Sequence, residues 1–226
     1  MNNADGFFSN LIPVTSLLPN EAQTLINLYA VKHNPFAYFR DIQQGFDADS
    51  SLNNMVGFEG AHGLFEDLAS GHVPNFSFIA PNQCNDQHGR GNAGPQCDFD
   101  PNSDGLQAGL NPALIYAGDL AIRNLLKAIH ASPAWKDGNS AIVIVWDEND
   151  YSGTSALPNG AFPSQNTNRV VLTVETNYGE HGVKSQTYYN SFSLLKSIEA
   201  GFGLPCLNHA CDDNVKVMSD LFARGH

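Results

Sequence analysis

The run Ala141-Ile142-Val143-Ile144-Val145-Trp146-Asp147-Glu148-Asn149-Asp150 constrains this chain more than any other stretch. An unbroken apolar segment, mostly β-branched, leads straight into a cluster of acids. Such a segment reads as a strand buried on both faces, the pattern of a central parallel strand. In open α/β sheets, ligands gather beyond the carboxyl ends of the strands, where Asp147 and Glu148 stand. Adjacent carboxylates at that place suit a hard divalent cation or acid–base work. The plain alternative is a pair of acids that cap a following helix or face solvent where the strand leaves the core.

Other elements follow from pattern. Asn20 reads as an N-cap, with Gln23 as its capping-box partner, and Ala22, Leu25, Ile26, Leu28 and Tyr29 follow at helical spacing. Pro35 ends that helix near His33-Asn34. Phe36, Tyr38 and Phe39 read as core, and 41–60 as a loop. A short helix spans His62–Ser70 and stops at Gly71. Phe76–Ala80 reads as a strand, with Asn85, Asp86 and His88 beyond its carboxyl end, in a long polar loop over 84–110. Ile122, Leu125, Leu126 and Ile129 mark the buried stripe of a helix over about 112–131, bracketed by Pro112 and Pro133. Residues 147–168 form a loop, and Val170–Val174 a third strand, followed by Glu175, Asn177 and His181. A last helix covers about 190–200 and ends at Gly201 and Gly203. Strand, helix and strand make a right-handed βαβ unit. That topology places Asp86 and His88 near Asp147 and Glu148. The expected fold is therefore α/β, a mostly parallel sheet flanked by helices.

Charge narrows the function. Asp and Glu total 23 against 11 Lys and Arg, a net charge of −12 over 226 residues. A nucleic-acid backbone has little to bind here, and an anionic substrate would need a metal to supply positive charge. No apolar run is long enough for a transmembrane segment, and the first residues show no signal peptide. The four cysteines allow three pairings. The local one, Cys84 with Cys97 and Cys206 with Cys211, is preferred and implies an oxidising compartment. Four unpaired thiols are the alternative; the spacings do not suit zinc.

Asp86, His88, Asp147, Glu148, Asp150 and His181 together suggest metal-assisted hydrolysis. Taken alone, His88 reads as an ordinary loop histidine. A metal-free glycosidase pair is a second possibility, opposed by the alternation of neighbouring side chains along a strand. Asp100-Pro101-Asn102-Ser103-Asp104-Gly105 matches the start of a calcium loop, but Asn111 stands where the bidentate Glu belongs, so a plain turn is the better reading.

Several segments occur in a characteristic order. They are Lys32-His33-Asn34-Pro35-Phe36; Pro74 through Asn82 with Asn85-Asp86 and His88; Gly118-Asp119; Trp146-Asp147-Glu148; and Ser193–Glu199 with Phe202-Gly203-Leu204-Pro205. The ordered set resembles the phosphoesterase family of acid phosphatases and non-specific phospholipases C, in the alkaline-phosphatase-like superfamily. The resemblance covers most of the chain from about Tyr29. It implies phosphoric-ester hydrolysis of a small molecule or a phospholipid head group, using one divalent metal ion held partly by Asp147 and Glu148. Asp86, His88 and His33 are the implied catalytic groups, and Asn85 and His181 the implied substrate-binding groups. It further implies attack by a metal-bound side-chain hydroxyl on phosphorus, a phosphoenzyme that water then hydrolyses, and a secreted or periplasmic location.

The family's Glu-Asn metal motif and His-Pro-Ser nucleophile motif are not found, and Asn190-Ser191-Phe192 replaces an Asn-His-Phe-type triplet. The expectation is a single 1–226 phosphoesterase-like domain lacking the family's N-terminal portion, with an uncovered sheet edge prone to self-association. A non-catalytic metal- or ligand-binding remnant of the fold is the rival reading.

Overall fold

The computed structural model describes residues 11–14, 24–46, 50–90, 93, 97, 112–148 and 169–222. They fall into two compact units, one within Met1–Asp137 and the other comprising Gly138–Glu148 and the chain from Arg169.

In the first unit, β1 (Leu11–Val14) and β2 (Thr24–Asn27) pair antiparallel. A strand at 24–27 overturns the helix expected from Asn20 to near His33-Asn34; Thr, Ile and Asn are weak enough helix formers for pairing to override the spacing. The proposed cap at Asn20 and Gln23 lies outside the described residues. Leu28 follows, 1% exposed, and packs with Ala93, Cys97 and Cys84. Two 3₁₀ turns, Val31–His33 and Pro35–Tyr38, then carry the chain past Asn34, held extended by the following proline. The 41–60 region contains α1 (Arg40–Gln44) and a 3₁₀ turn at Leu52–Asn54, where only loop was expected. The Phe36 ring meets Phe39, Phe76 and Phe78. Yet Tyr38 and Phe39 are 61% and 56% exposed, so these aromatics form a surface cluster, not core.

Helix α2 (Leu64–Ser70) ends at Gly71 in the left-handed conformation, as the spacing predicts. Its first N–H groups reach the carbonyls of Gly57 and Phe58. Helix α3 (Pro112–Ala131) also forms where expected, but its most buried residues are Leu114, Gly118, Ala121 and Leu125. The large residues Ile122, Leu126 and Ile129 are only half-buried, so the face buried deepest includes a glycine and an alanine that allow close approach. Helix α4 (Pro133–Asp137) follows at once, with the Ser132 hydroxyl accepting the Ala134 N–H at 3.2 Å.

The second unit corrects the sheet. β3 (Ala141–Val145) pairs with β4 (Leu172–Thr176) antiparallel, Ala141 opposite Thr176 and Val145 opposite Leu172. Among the described residues no further strand joins them, and 76–80 forms no strand, so neither the βαβ unit nor a mostly parallel sheet is present. Among the described residues neither outer edge of this ribbon has a strand partner. Accordingly Ile142–Ile144 are half-buried and the ends of β3 exposed. A β-branched run specifies extended backbone; it does not specify the partner's direction.

Helix α5 (Ser191–Gly201) opens on a reciprocal cap between Asn190 and Ser193. Ser197 ties it to the C-terminal segment: its hydroxyl donates to the Ser193 carbonyl at 2.7 Å and accepts the Met218 N–H at 2.8 Å. On α6 (Ser219–Phe222), the Asp220 carboxylate accepts the hydroxyls of Ser185 and Tyr189. Glu199 is 4% exposed. Its Oε1 accepts the Leu207 N–H at 3.0 Å, whereas its Oε2 is buried with no hydrogen-bond partner among the described residues. Glu199→Ala strips an acceptor from a partly buried N–H and is expected to cost about 1–3 kcal/mol. Glu199→Gln keeps that acceptor and should cost less. Urea denaturation midpoints of the two variants give the order, and equal midpoints would contradict it. Two disulfides, Cys84–Cys97 and Cys206–Cys211, take the local pairing.

Candidate functional site

In the first unit the structure brings together His33, Asn85, Asp86 and His88. Asn82 builds the base of the turn. Its Oδ1 accepts the Cys84 N–H at 3.1 Å and the buried Asn85 side-chain amide at 2.9 Å. Asp86 Oδ1 then accepts the backbone N–H of His88 at 2.8 Å and of Gly89 at 3.3 Å, an Asx turn that closes on itself. Asp86 Oδ2 is buried, has no hydrogen-bond partner among the described residues, and lies 3.7 Å from His33 Nδ1. His88 is exposed at the rim. Asn85, given a substrate-binding role by the resemblance, is buried here and acts within the turn.

Burial raises the Asp86 carboxyl above the ordinary carboxylate range. It outweighs the two N–H bonds and the nearby imidazoles of His33 and His88, which pull the other way. Folded Asp86 thus keeps its proton at pH values where the unfolded chain has released it. In that window the folded state binds more protons, so this contribution to stability is complete at low pH and declines as pH rises through the raised value. Asp86→Asn removes it. The stability of wild type minus that of Asp86→Asn, taken from melts over a pH series, should fall from acid towards neutral. A difference independent of pH would contradict the assignment.

In the second unit Asp147 and Glu148 follow β3 directly and are exposed, with the Glu148 N–H donating to Asp147 Oδ1 at 3.1 Å. His181 instead follows the far end of the ladder, past Thr176, which lies opposite Ala141. Antiparallel pairing therefore sets His181 after the end of the ribbon opposite to the two acids. At that end Asn177 binds across to 138–140, accepting from the Ser140 N–H at 2.8 Å and donating to the Gly138 carbonyl at 2.5 Å. The expected closeness of Asp86 and His88 to Asp147 and Glu148 rested on the βαβ unit and loses that basis. Asp150 and the 100–105 loop lie outside the described residues.

Two exposed carboxylates offer hard oxygen donors of the kind a divalent cation takes. Among the described residues no group of three or more His, Cys, Asp or Glu is placed to hold a metal, so the pair would be part of a ligand set. Sequence reasoning missed Asn82 and Gln87. Gln87 has a φ of 71°, which nothing in a Gln residue announces.

The sequence model of the Phosphoesterase family matches residues 109–205. That stretch, less than half of the chain, is similar to phosphoesterase-family sequence. The match spans α3, β3, β4 and α5, and includes Asp147, Glu148 and His181 but not the turn at Asp86. The chain is also similar to the phosphate-repressible acid phosphatase of Penicillium chrysogenum, 26% identical over 86% of this chain and 38% of that protein. It resembles an acid phosphatase of Aspergillus fumigatus at 24% identity over 85% of this chain and 35% of that protein. A probable acid phosphatase of Kluyveromyces lactis is 25% identical over 85% of this chain and 37% of its own length. The chain thus spans little more than a third of the length of these relatives. No solved structure matches it. Among the described residues no helix is long and apolar enough to cross a membrane.

Proposed function

We propose that this phosphoesterase-family chain hydrolyses phosphoric esters, with phosphomonoesters as the preferred class and the Asp86 turn as its acid–base element. The observation that carries this is the Asp86 carboxyl, its Oδ2 buried, without a hydrogen-bond partner among the described residues and 3.7 Å from His33, in a chain similar to acid phosphatases. A carboxyl that holds its proton above the usual range is suited to protonate a leaving-group oxygen. His33 Nδ1 lies 3.7 Å from Asp86 Oδ2, so a proton would pass between them through a bridging water or after a closer approach. His88 presents an exposed ring where a substrate can reach it.

Within the second unit, Asp147 and Glu148 would supply part of the ligand set of a divalent ion. His181 keeps a substrate-binding role only as a lesser candidate. The two disulfides favour an oxidising compartment, outside the cytoplasm.

Hydrolysis of p-nitrophenyl phosphate by the 226-residue chain, with and without chelator, tests the reading. Turnover should be lost on chelation and return with added divalent ion, and Asp147→Ala should remove it by about 10²-fold or more. Turnover indifferent to both would reject the metal. Phosphatidylcholine cleaved in preference to the aryl monoester would favour the phospholipase C reading instead.

A further inference from the structure

We infer that Gly118 of α3 is a positioning residue that holds the Asp86 turn through Gln87. For its catalytic consequence the inference rests on the function proposed above; for its structural consequence it does not. Gly118 is buried in the interior of a long helix, where glycine is ordinarily inferior to alanine. The reason for a glycine lies across from it. A Cβ on Gly118 would stand 2.4 Å from Gln87 Cγ, 3.0 Å from Nε2 and 3.1 Å from Cδ. The nearest atoms all belong to one side chain, beyond its own Cβ. Gln87 Nε2 also donates to the Ile115 carbonyl on the same helix at 3.4 Å.

Gln87 stands between the two groups assigned to chemistry. On one side Asp86 Oδ1 gathers the N–H groups of His88 and Gly89. Gln87 itself takes a φ of 71°, a left-handed conformation that a side chain bearing a Cβ adopts only when its surroundings hold it. The docking of Gln87 onto the bare backbone of α3 is that holding contact. A methyl group at 118 has to displace Gln87, and with it the conformation that aims Asp86 Oδ2 at His33.

A double-mutant cycle tests this, using Gly118→Ala, Gln87→Ala and the pair in the full chain. Gln87→Ala removes the three atoms nearest the new methyl yet keeps a Cβ on the left-handed residue. Two readouts are needed. The first is the titration of the Asp86 carboxyl carbon and of the His88 and Gly89 amides by NMR, which requires no activity. The second is kcat and KM for p-nitrophenyl phosphate.

Gly118→Ala should move the Asp86 midpoint down towards the ordinary carboxylate range. It should lower kcat by about tenfold or more with little change in KM. On the Gln87→Ala background the same substitution should change neither readout further, so the two effects are non-additive. Gln87→Ala alone, which adds nothing to the helix, should also shift the Asp86 titration, so the test survives if Gly118→Ala fails to fold. Unchanged titrations in Gly118→Ala, or an equal loss on both backgrounds, would overturn the inference. Coupled titrations in a chain that hydrolyses no aryl phosphate would instead keep the positioning role and reject the phosphoesterase activity.

Discussion

Replacing Asp86 with asparagine is expected to lower kcat for aryl phosphate hydrolysis by about 10²–10⁴-fold, the range ordinary for a positioned acid or base, and to leave the chain folded. Asparagine has the same shape and keeps an oxygen where Oδ1 accepts the His88 and Gly89 N–H groups, so the turn closes as before. What disappears is the titrating proton on the buried oxygen that faces His33 at 3.7 Å. Steady-state kinetics with a circular dichroism control separate the two effects. A loss confined to KM would place Asp86 in binding. Full activity in the variant would remove it from the chemistry.

The second large effect is structural. Cys84→Ser with Cys97→Ser opens a disulfide spanning 13 positions, worth about 3 kcal/mol by chain entropy. It also loosens the small core of Leu28, Ala93 and Cys97. Because Cys84 immediately precedes Asn85 and is fixed by Asn82, this variant is expected to lose turnover as well as stability. Opening Cys206–Cys211, with a separation of 5, should cost about 2 kcal/mol and leave the Asp86 titration unchanged. Urea denaturation and NMR on the two pairs of variants check both halves. Equal effects on the Asp86 turn would show that its order does not depend on the nearby disulfide.

Legibility followed the range of the interactions involved. Helices α2, α3 and α5 were readable because caps, prolines and the 3.6-residue period act within a few positions. Both disulfides were readable from locality. The sheet was not. The β-branched residues of β3 announce a strand, yet its partner's direction depends on pairing across residues 146–171, which no local pattern encodes. The short strand at Thr24–Asn27 was likewise set by its partner against a helical spacing.

Within the candidate site, His33, Asn85, Asp86 and His88 could be named from motif order, and the structure does gather them. The joint placement of Asp147, Glu148 and His181 was drawn from a parallel topology and did not follow once the pairing proved antiparallel. Gly118 was named in the sequence only as part of the Gly118-Asp119 segment, and Gln87 not at all, because the significance of both lies in a single close approach between a turn and a helix.

The measurement that decides most is the release of inorganic phosphate from an aryl monophosphate by wild type and Asp86→Asn, side by side, from about pH 4 to about pH 8. Turnover that declines towards neutral in wild type and is lost at every pH in Asp86→Asn is the expected result. No release by wild type with divalent ion present, or the same profile in both proteins, would contradict the assignment of phosphoester chemistry to this turn.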